Sequence, residues 1–380
     1  MRQPVDRSRL LACAALGLLA ACRDPAPTQP PARPAVAAPR ADRADASTAP
    51  VAHERPRRDA SVAQAAVDAA AAPAPTPAPS PVAHGPADGV TRGFLGLDDD
   101  ALLARICDAP IERVQRNTGG STVSFRLRLA GAQKALFKPQ QQASVANFRA
   151  ELAAYRMSRL LGLHRVPPAC GRLVPRALLQ RTADASGDAA FSQRVMTELL
   201  GRADAVPGAV VFWVPGQLEE VPGNESYPTL LDLAQPLPPE RAALAADLSA
   251  LLVFDFINDN VDRWSGGNIL QQRAAPGAPP SPMLFMDNGA SFSAIHDGLG
   301  ARPADQARRL AAMGRFSRSL IDRLRALTAA SIRAAMSDDP LGPCLSDAQI
   351  NAVLTRRDLV LARVAEALRS HEERDVYAFP

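Results

Sequence analysis

The sequence predicts an α+β fold of two lobes, carried behind a long extended tether. Three observations point that way. Between residues 111 and 139 apolar and polar side chains alternate with the period of a strand, and from 239 to 371 apolar residues recur with the period of a helix. Strands come first and helices after, the order expected of a small sheet lobe followed by a helical lobe with a cleft between them. The first 90 residues fit neither pattern.

Residues 1–22 place Arg2, Arg7 and Arg9 ahead of an apolar stretch that begins at Leu10 and is too short to span a bilayer as a mature helix. The stretch closes on Leu19-Ala20-Ala21-Cys22, which resembles a bacterial lipobox. The resemblance implies a lipoprotein signal peptide, with Cys22 as the lipidated new N-terminus and the chain anchored to the membrane of the cell envelope. Arg at position 23, in place of Asp, favours the outer membrane over the inner. Residues 23–90 hold 14 prolines and no Leu, Ile, Met or aromatic residue. Such a segment cannot bury enough apolar area to offset its ordering entropy, so it reads as a disordered linker.

Residues 91–380 carry the folded domain, with a first lobe over about 91–207 and a second over about 217–380. Only 4% of the chain is aromatic, so the core must be mostly aliphatic. The net charge of +4 is spread among acids without aromatic interleaving, which is not the footprint of a nucleic-acid-binding protein. Three cysteines fall in this domain, Cys107, Cys170 and Cys344. In an oxidising compartment they allow one disulfide, whose pair the sequence does not choose. His164 and His296 stand alone and read as surface or satisfied histidines. The chain has two lysines, Lys134 and Lys138, among 43 cationic side chains. Arginine otherwise serves throughout, so these two positions invite the question of what a compact ammonium does that a guanidinium cannot.

The elements follow in order. Residues 94–109 read as a short helix with Asp98, Asp99 and Asp100 at its positive end. "IERVQR" is a first strand. Gly119-Gly120 turns the chain into "TVSFRLRLA", where Val123, Phe125, Leu127 and Leu129 alternate with polar residues. "KALFK" is a third strand stopped by Pro139. Residues 145–162 predict a helix closed by Gly162, with Glu151 at the border of its inward face. "GAVVFWVPG" (208–216) reads as a buried strand leading to a crossover, with Trp213 in the core. Residues 239–259 predict a long, mostly buried helix. The chain then leaves the core through "NDNVDRWSGGN" and returns by a hairpin to "PMLFMDNG". Helical patterns fill 302–371.

Two acidic loops at the ends of two hydrophobic elements, behind a Gly-Gly turn, a lysine and a helix glutamate, suggest a phosphate and metal site. Phosphoryl transfer needs cations on the phosphates, a backbone cradle, and a carboxylate for the acceptor hydroxyl. Gly119, Gly120, Lys138, Glu151, Asp262, Asn268 and Asp287 supply those groups in that order along the chain. Asp262, Asn268 and Asp287 are expected in one pocket, below Lys138 and Glu151.

Over "ALFKP" (135–139), "AELAAYRMSRLLGLHRVPP" (150–168), "VFDFINDNVDRWSGGN" (253–268) and "LFMDNG" (284–289), the sequence resembles the secretory-pathway atypical kinases. That group contains the Golgi casein kinase, the proteoglycan xylosylkinase and the four-jointed kinases, and it is similar in its core to the phosphatidylinositol-kinase-like proteins. The resemblance implies a two-lobed protein-kinase-like fold, with a small antiparallel sheet plus helix in the first lobe and a mostly helical second lobe. It implies ATP or another nucleoside triphosphate as donor, with Mg²⁺ or Mn²⁺. Lys138 would contact the phosphates and pair with Glu151, Asp262 would be the catalytic carboxylate, and Asp287 and Asn268 would be metal ligands. The sequence departs from the group after Asp262-Arg263, where Trp264 stands in place of histidine. Asn268 lies six residues past Asp262, where protein kinases use five. The function implied is transfer of the terminal phosphate to a protein Ser/Thr or glycan hydroxyl. The alternative is a catalytically silent pseudokinase serving as an envelope binding or scaffold lipoprotein. The presence of the lysine, the glycine turn and both aspartates favours the active form.

Overall fold

The computed structural model describes residues 93–143, 145–265, 267–274, 281–292 and 302–380. The expected signal peptide with Cys22, the expected linker and His296 lie outside the described residues.

The small lobe opens with helix α1 (Asp99–Cys107), whose N-cap Asp98 accepts hydrogen bonds from the N–H groups of Asp100 and Ala101. Three antiparallel strands follow, β1 (Ile111–Arg116), β2 (Phe125–Leu129) and β3 (Lys134–Pro139). The alternation read in the sequence is met within β2, where Phe125, Leu127 and Leu129 are buried and Arg126 and Arg128 are exposed; ahead of the strand Val123 and Ser124 are both buried. Helix α2 (Phe148–Leu160) starts at the capping side chain of Asn147 and ends before Gly162. Strand β4 (Ala169–Pro175) leads into helices α3 (Arg176–Asp184) and α4 (Ala189–Glu198), and β5 (Ala205–Phe212) returns between β3 and β4.

Two expectations are corrected here. Strand β5 is antiparallel to both of its neighbours and completes a five-stranded sheet in the order β1-β2-β3-β5-β4. It therefore leads to no crossover, and the small lobe runs through Phe212 rather than ending at 207. Helices α3 and α4 have no counterpart in the sequence reading. Both are short, and each buries only two side chains, so their helical period is weak.

Past Phe212 the chain forms β6 (Leu218–Glu220), the single turn α5 (Tyr227–Leu230) and the long helix α6 (Ala242–Asn258). Strands β7 (Ile269–Gln272) and β8 (Leu284–Phe285) join β6 in a three-stranded antiparallel sheet. Helices α7 (Arg302–Ala311), α8 (Arg318–Ala326), α9 (Ala329–Ser337), α10 (Asp347–Ser370) and α11 (Glu373–Val376) complete the large lobe.

Two hydrophobic clusters hold these elements together. The smaller one lies between the five-stranded sheet and α1, α3 and α4. The larger is built on α6 and the helices after it, and it includes Phe148, Leu152, Ala153, Tyr155 and Met157 of α2. Helix α2 thus belongs by chain order to the small lobe and by packing to the large one. A side chain on α2 is fixed from both sides of the cleft.

Of the cysteines, Cys107 at the end of α1 and Cys170 in β4 form a disulfide, with Cα atoms 6.0 Å apart. Cys344 is a buried free thiol. His164 meets Asp99 at 3.3 Å, the satisfied histidine the sequence led us to expect.

Candidate active site

The underside of the five-stranded sheet faces β6-β7-β8 across a cleft of about 530 Å³. Its inner end is lined by apolar side chains, among them Val166, Ala169, Val211, Leu270 and Met286. Its other end is polar and holds most of the residues singled out from the sequence.

Lys138 is the last outward-facing residue of β3, and its ammonium donates to two carboxylates. One is Glu151 Oε1 on α2 and the other is Asp287 Oδ1, at 2.8 Å, in the loop after β8. Glu151 was expected at the border of a helix face, yet its side chain is only 5% exposed. The reason is the loop after β8. The backbone N–H of Asn288 donates to Glu151 Oε1 at 3.1 Å, and Gly289 lies against the same carboxylate. A Cβ at Gly289 would sit 2.8 Å from the carbonyl oxygen of Val145 and 3.4 Å from Glu151 Oε1, so only glycine lets the loop approach this closely.

Burial opposes the charge on Lys138, but the nearby carboxylates of Glu151 and Asp287 outweigh it and raise the lysine pKa above its ordinary value. Lys138 in turn lowers the Asp287 pKa against the effect of burial. Burial dominates at Glu151 and raises its pKa, an effect that Lys138 offsets only in part. Asp287 has φ of +51°, in the left-handed region that an Asp side chain tolerates better than most. It remains half exposed to the cleft.

Gly119 and Gly120 line the same cleft from the β1–β2 turn, and Gly120 has φ of +83°, a conformation that favours glycine. An added Cβ at Gly120 would meet nothing within 4 Å. The turn thus presents bare backbone to open space above Lys138.

Asn268 also lines the cleft, while Asp262 is not among the residues that enclose it. Of the three residues expected in one pocket, the cleft brings together Asn268 and Asp287, and Asp262 is linked to it through Asn268. The link is direct, because Asn268 Nδ2 donates to the backbone carbonyl of Asp262 at 3.1 Å. That bond occupies the donor end of the amide and leaves Oδ1 as its ligand atom.

The sequence did not single out Arg263, which has a side chain with 0% exposure. Its guanidinium binds Asp255 on α6, with Nε to Oδ2 at 3.0 Å and Nη2 to Oδ1 at 3.1 Å. The remaining donors reach the carbonyl oxygens of Asn268 and Met286 and, at 2.8 Å, Asn288 Oδ1. One side chain thus fixes α6, the Asp262 loop and the Asp287 loop to one another. The available signal was an Asp and an Arg eight positions apart around the end of a buried helix, a pattern too common to select. Trp213 is the other correction. Phe212, the last residue of β5, is buried, and the next side chain turns to the opposite face, so Trp213 lies half-buried on the cleft wall instead of in the core.

Among the described residues no group of three or more His, Cys, Asp or Glu is gathered to hold a metal. The set present is one carboxylate and one amide side chain lining the same cleft as the Gly119-Gly120 turn. That suits a magnesium-type ion, which takes one or two protein oxygens and completes its shell with substrate phosphates and water.

Comparison with known proteins bears on the fold that carries this cleft. The family described as "Golgi casein kinase, C-terminal, Fam20" matches residues 98–193. Human glycosaminoglycan xylosylkinase is 25% identical over 65% of this chain and 69% of its own length. Human extracellular serine/threonine protein kinase FAM20C is 21% identical over 71% of this chain and 54% of its own. Among solved structures, the Golgi casein kinase with Mn/ADP bound superposes with a TM-score of 0.58 at 18% identity, covering 73% of this chain and 78% of that one. Hydra Fam20 with sugar gives 0.58 at 19% identity, covering 76% and 95%. The fold is that of the Fam20 kinases. The resemblance read from the sequence is met in both sequence and architecture, and the two-lobed α+β fold is the one expected.

Proposed function

We propose that the chain is a metal-dependent phosphotransferase that moves the terminal phosphate of a nucleoside triphosphate to a hydroxyl of a protein or glycan. The observation that carries this reading is Lys138, held on the cleft floor by Glu151 and Asp287 below a bare glycine turn. The apolar end of the cleft suits a base. In this reading the Gly119-Gly120 backbone covers the phosphates, and Lys138, kept protonated by its two carboxylates, contacts them. Glu151 holds Lys138 in place. Asp287 and Asn268 Oδ1 hold the Mg²⁺ or Mn²⁺, which when bound neutralises charge on the phosphates. Asp262 takes the proton of the acceptor hydroxyl, and its loop is fixed to the metal side through Asn268 and Arg263.

We further propose that the chain acts in the cell envelope on a lipid anchor at Cys22. The Cys107–Cys170 disulfide supports export, since such bonds persist in oxidising compartments. The test is transfer of labelled γ-phosphate by the full chain to itself or to casein and glycan acceptors, with Mn²⁺ or Mg²⁺. Activity is expected in the parent and lost in Asp262→Ala, which should still bind nucleotide. Metal-dependent nucleotide binding with no transfer to any acceptor would favour the pseudokinase, and no nucleotide binding would overturn both readings.

A further inference from the structure

A second concave site lies on the same sheet face as Lys138, outward along β3 from the cleft. It is a groove of about 330 Å³ whose lining includes Arg113, Arg126, Arg128, Lys134, Gln115 and Trp213. Trp213 lines both this groove and the cleft. The strand register explains the concentration of charge. Arg113 on β1 is the direct partner of Arg128 on β2, and Arg128 is the direct partner of Lys134 on β3. Three cations therefore stand in one row across three strands at intervals of about 4.8 Å. Like charges placed directly opposite one another destabilise a sheet.

Other arginines of the chain sit against acids. Arg116 meets Asp188 at 2.5 Å, Arg156 meets Asp339 at 2.9 Å and Arg165 meets Asp247 at 2.8 Å. Among the described residues, Arg128 alone of the groove cations has an ion pair, with the largely exposed Glu112 at 3.7 Å. Arg126 lies over the Trp213 ring at 5.9 Å instead of pairing with an acid. One of the two lysines of the chain is in this row and the other is on the cleft floor.

We propose that this groove is an anion site that takes a condensed phosphate chain, and that it communicates with the neighbouring cleft through Trp213. The enclosed volume is too small for an acidic peptide to bring several carboxylates together, whereas phosphoanhydride groups place multiple charges within the span of one cation row. Guanidinium forks match phosphate oxygens in pairs. The large exposed apolar side chains, Leu97, Leu173, Met196, Leu200 and Leu359, are all elsewhere, so the face lacks the wedge that a lipid surface would need. The phosphate chain can be inorganic or the phosphate end of a second nucleotide. The proposal stands on the groove itself and does not require the cleft to be catalytic.

The test uses the full chain carrying Trp264→Phe, which leaves Trp213 as the sole indole reporter. Sodium tripolyphosphate, titrated at fixed ionic strength, is expected to give a saturable change in Trp213 fluorescence. The Arg113→Gln/Arg128→Gln/Lys134→Gln variant should bind at least ten-fold more weakly, and Lys138→Met should bind as before. The triple variant without anion should melt at or above the parent temperature, because a repulsive row has been removed. In the Lys138→Met background, displacement by ATP identifies a second nucleotide as the source, and failure to displace identifies an inorganic chain. The proposal is overturned if the triple variant binds unchanged, or if binding is lost in Lys138→Met. It is also overturned if sulfate at equal ionic strength reproduces the signal, or if a polyglutamate peptide binds more tightly than tripolyphosphate.

Discussion

Replacing Lys138 by Met removes the one cation bonded to Glu151 and leaves that carboxylate on a buried helix face. A buried carboxylate without a cation beside it, held only by the Asn288 N–H, takes up a proton instead of remaining charged. Holding it protonated near pH 7, against an unfolded pKa of about 4.3, costs at most about 3.7 kcal/mol at about 1.36 kcal/mol per pH unit. The figure is a ceiling, because burial already raises the Glu151 pKa in the parent. Asp287 adds little, since it is half exposed and can be solvated. The sign follows from proton counting. In the variant the native state keeps a proton that the unfolded state releases above about pH 4.3, so stability falls as pH rises. The loss relative to the parent should therefore be largest near neutral pH and close as pH approaches the ordinary glutamate range. Urea unfolding of the full chain, followed by circular dichroism across that range, measures it. Adding Glu151→Gln to Lys138→Met should remove most of the pH dependence. A loss that is constant with pH, or that persists in the double variant, would refute the assignment of Glu151 as the buried partner.

Lys138→Arg should abolish metal-dependent nucleotide binding in the cleft, measured by calorimetry, because a planar fork cannot take the place of the ammonium between Glu151 and Asp287, while Lys134→Arg, on an exposed position of the same strand, should leave it intact. Reducing the Cys107–Cys170 bond opens a loop with a sequence separation of 63 residues and should lower unfolding free energy by about 4 kcal/mol, read from denaturation with and without reductant. Arg263→Lys keeps the charge and loses most of the fork. It should cost about 3 kcal/mol of stability and reduce turnover further than stability alone explains, seen as a lower kcat at temperatures where the variant remains folded.

The parts of this fold that were legible in the sequence are those in which a single period decides burial. Val123, Phe125, Leu127 and Leu129 announce a strand because every second residue enters the smaller core. The run from 242 to 258 announces α6 because it is apolar nearly all round, as a helix packed on several sides must be. Lys138 and Asp287 were legible because each ends a hydrophobic element at a cleft, where a charge has no structural reason to be. Helices α3 and α4 were not legible, since each depends on the sheet above it more than on its own pattern. The depth of Glu151 was hidden for a related reason. Its burial is set by Asn288 and Gly289, 137 and 138 positions away, and a helix read by itself contains no trace of them.

Arg263 shows why a site can be recognised before its construction is understood. Asp262, Asn268 and Asp287 are selected by the chemistry they would perform, so their residue types reveal them. Arg263 faces away from that chemistry, into a shell of carbonyl oxygens and the Asp255 carboxylate, and its type is no different from that of forty other arginines in the chain. The two loops it joins are 25 residues apart, and neither is anchored by regular pairing beyond the short strands β7 and β8. Asn260 also joins the two loops, through the Asp287 carbonyl at 3.3 Å and Asn288 Oδ1 at 3.4 Å. The Arg263 fork adds partners on α6 to both loops, and the large buried helix provides the rigid side of the joint. The spacing between the Asp262 and Asp287 loops is therefore set in large part by packing in the large lobe, which the cleft residues themselves do not encode.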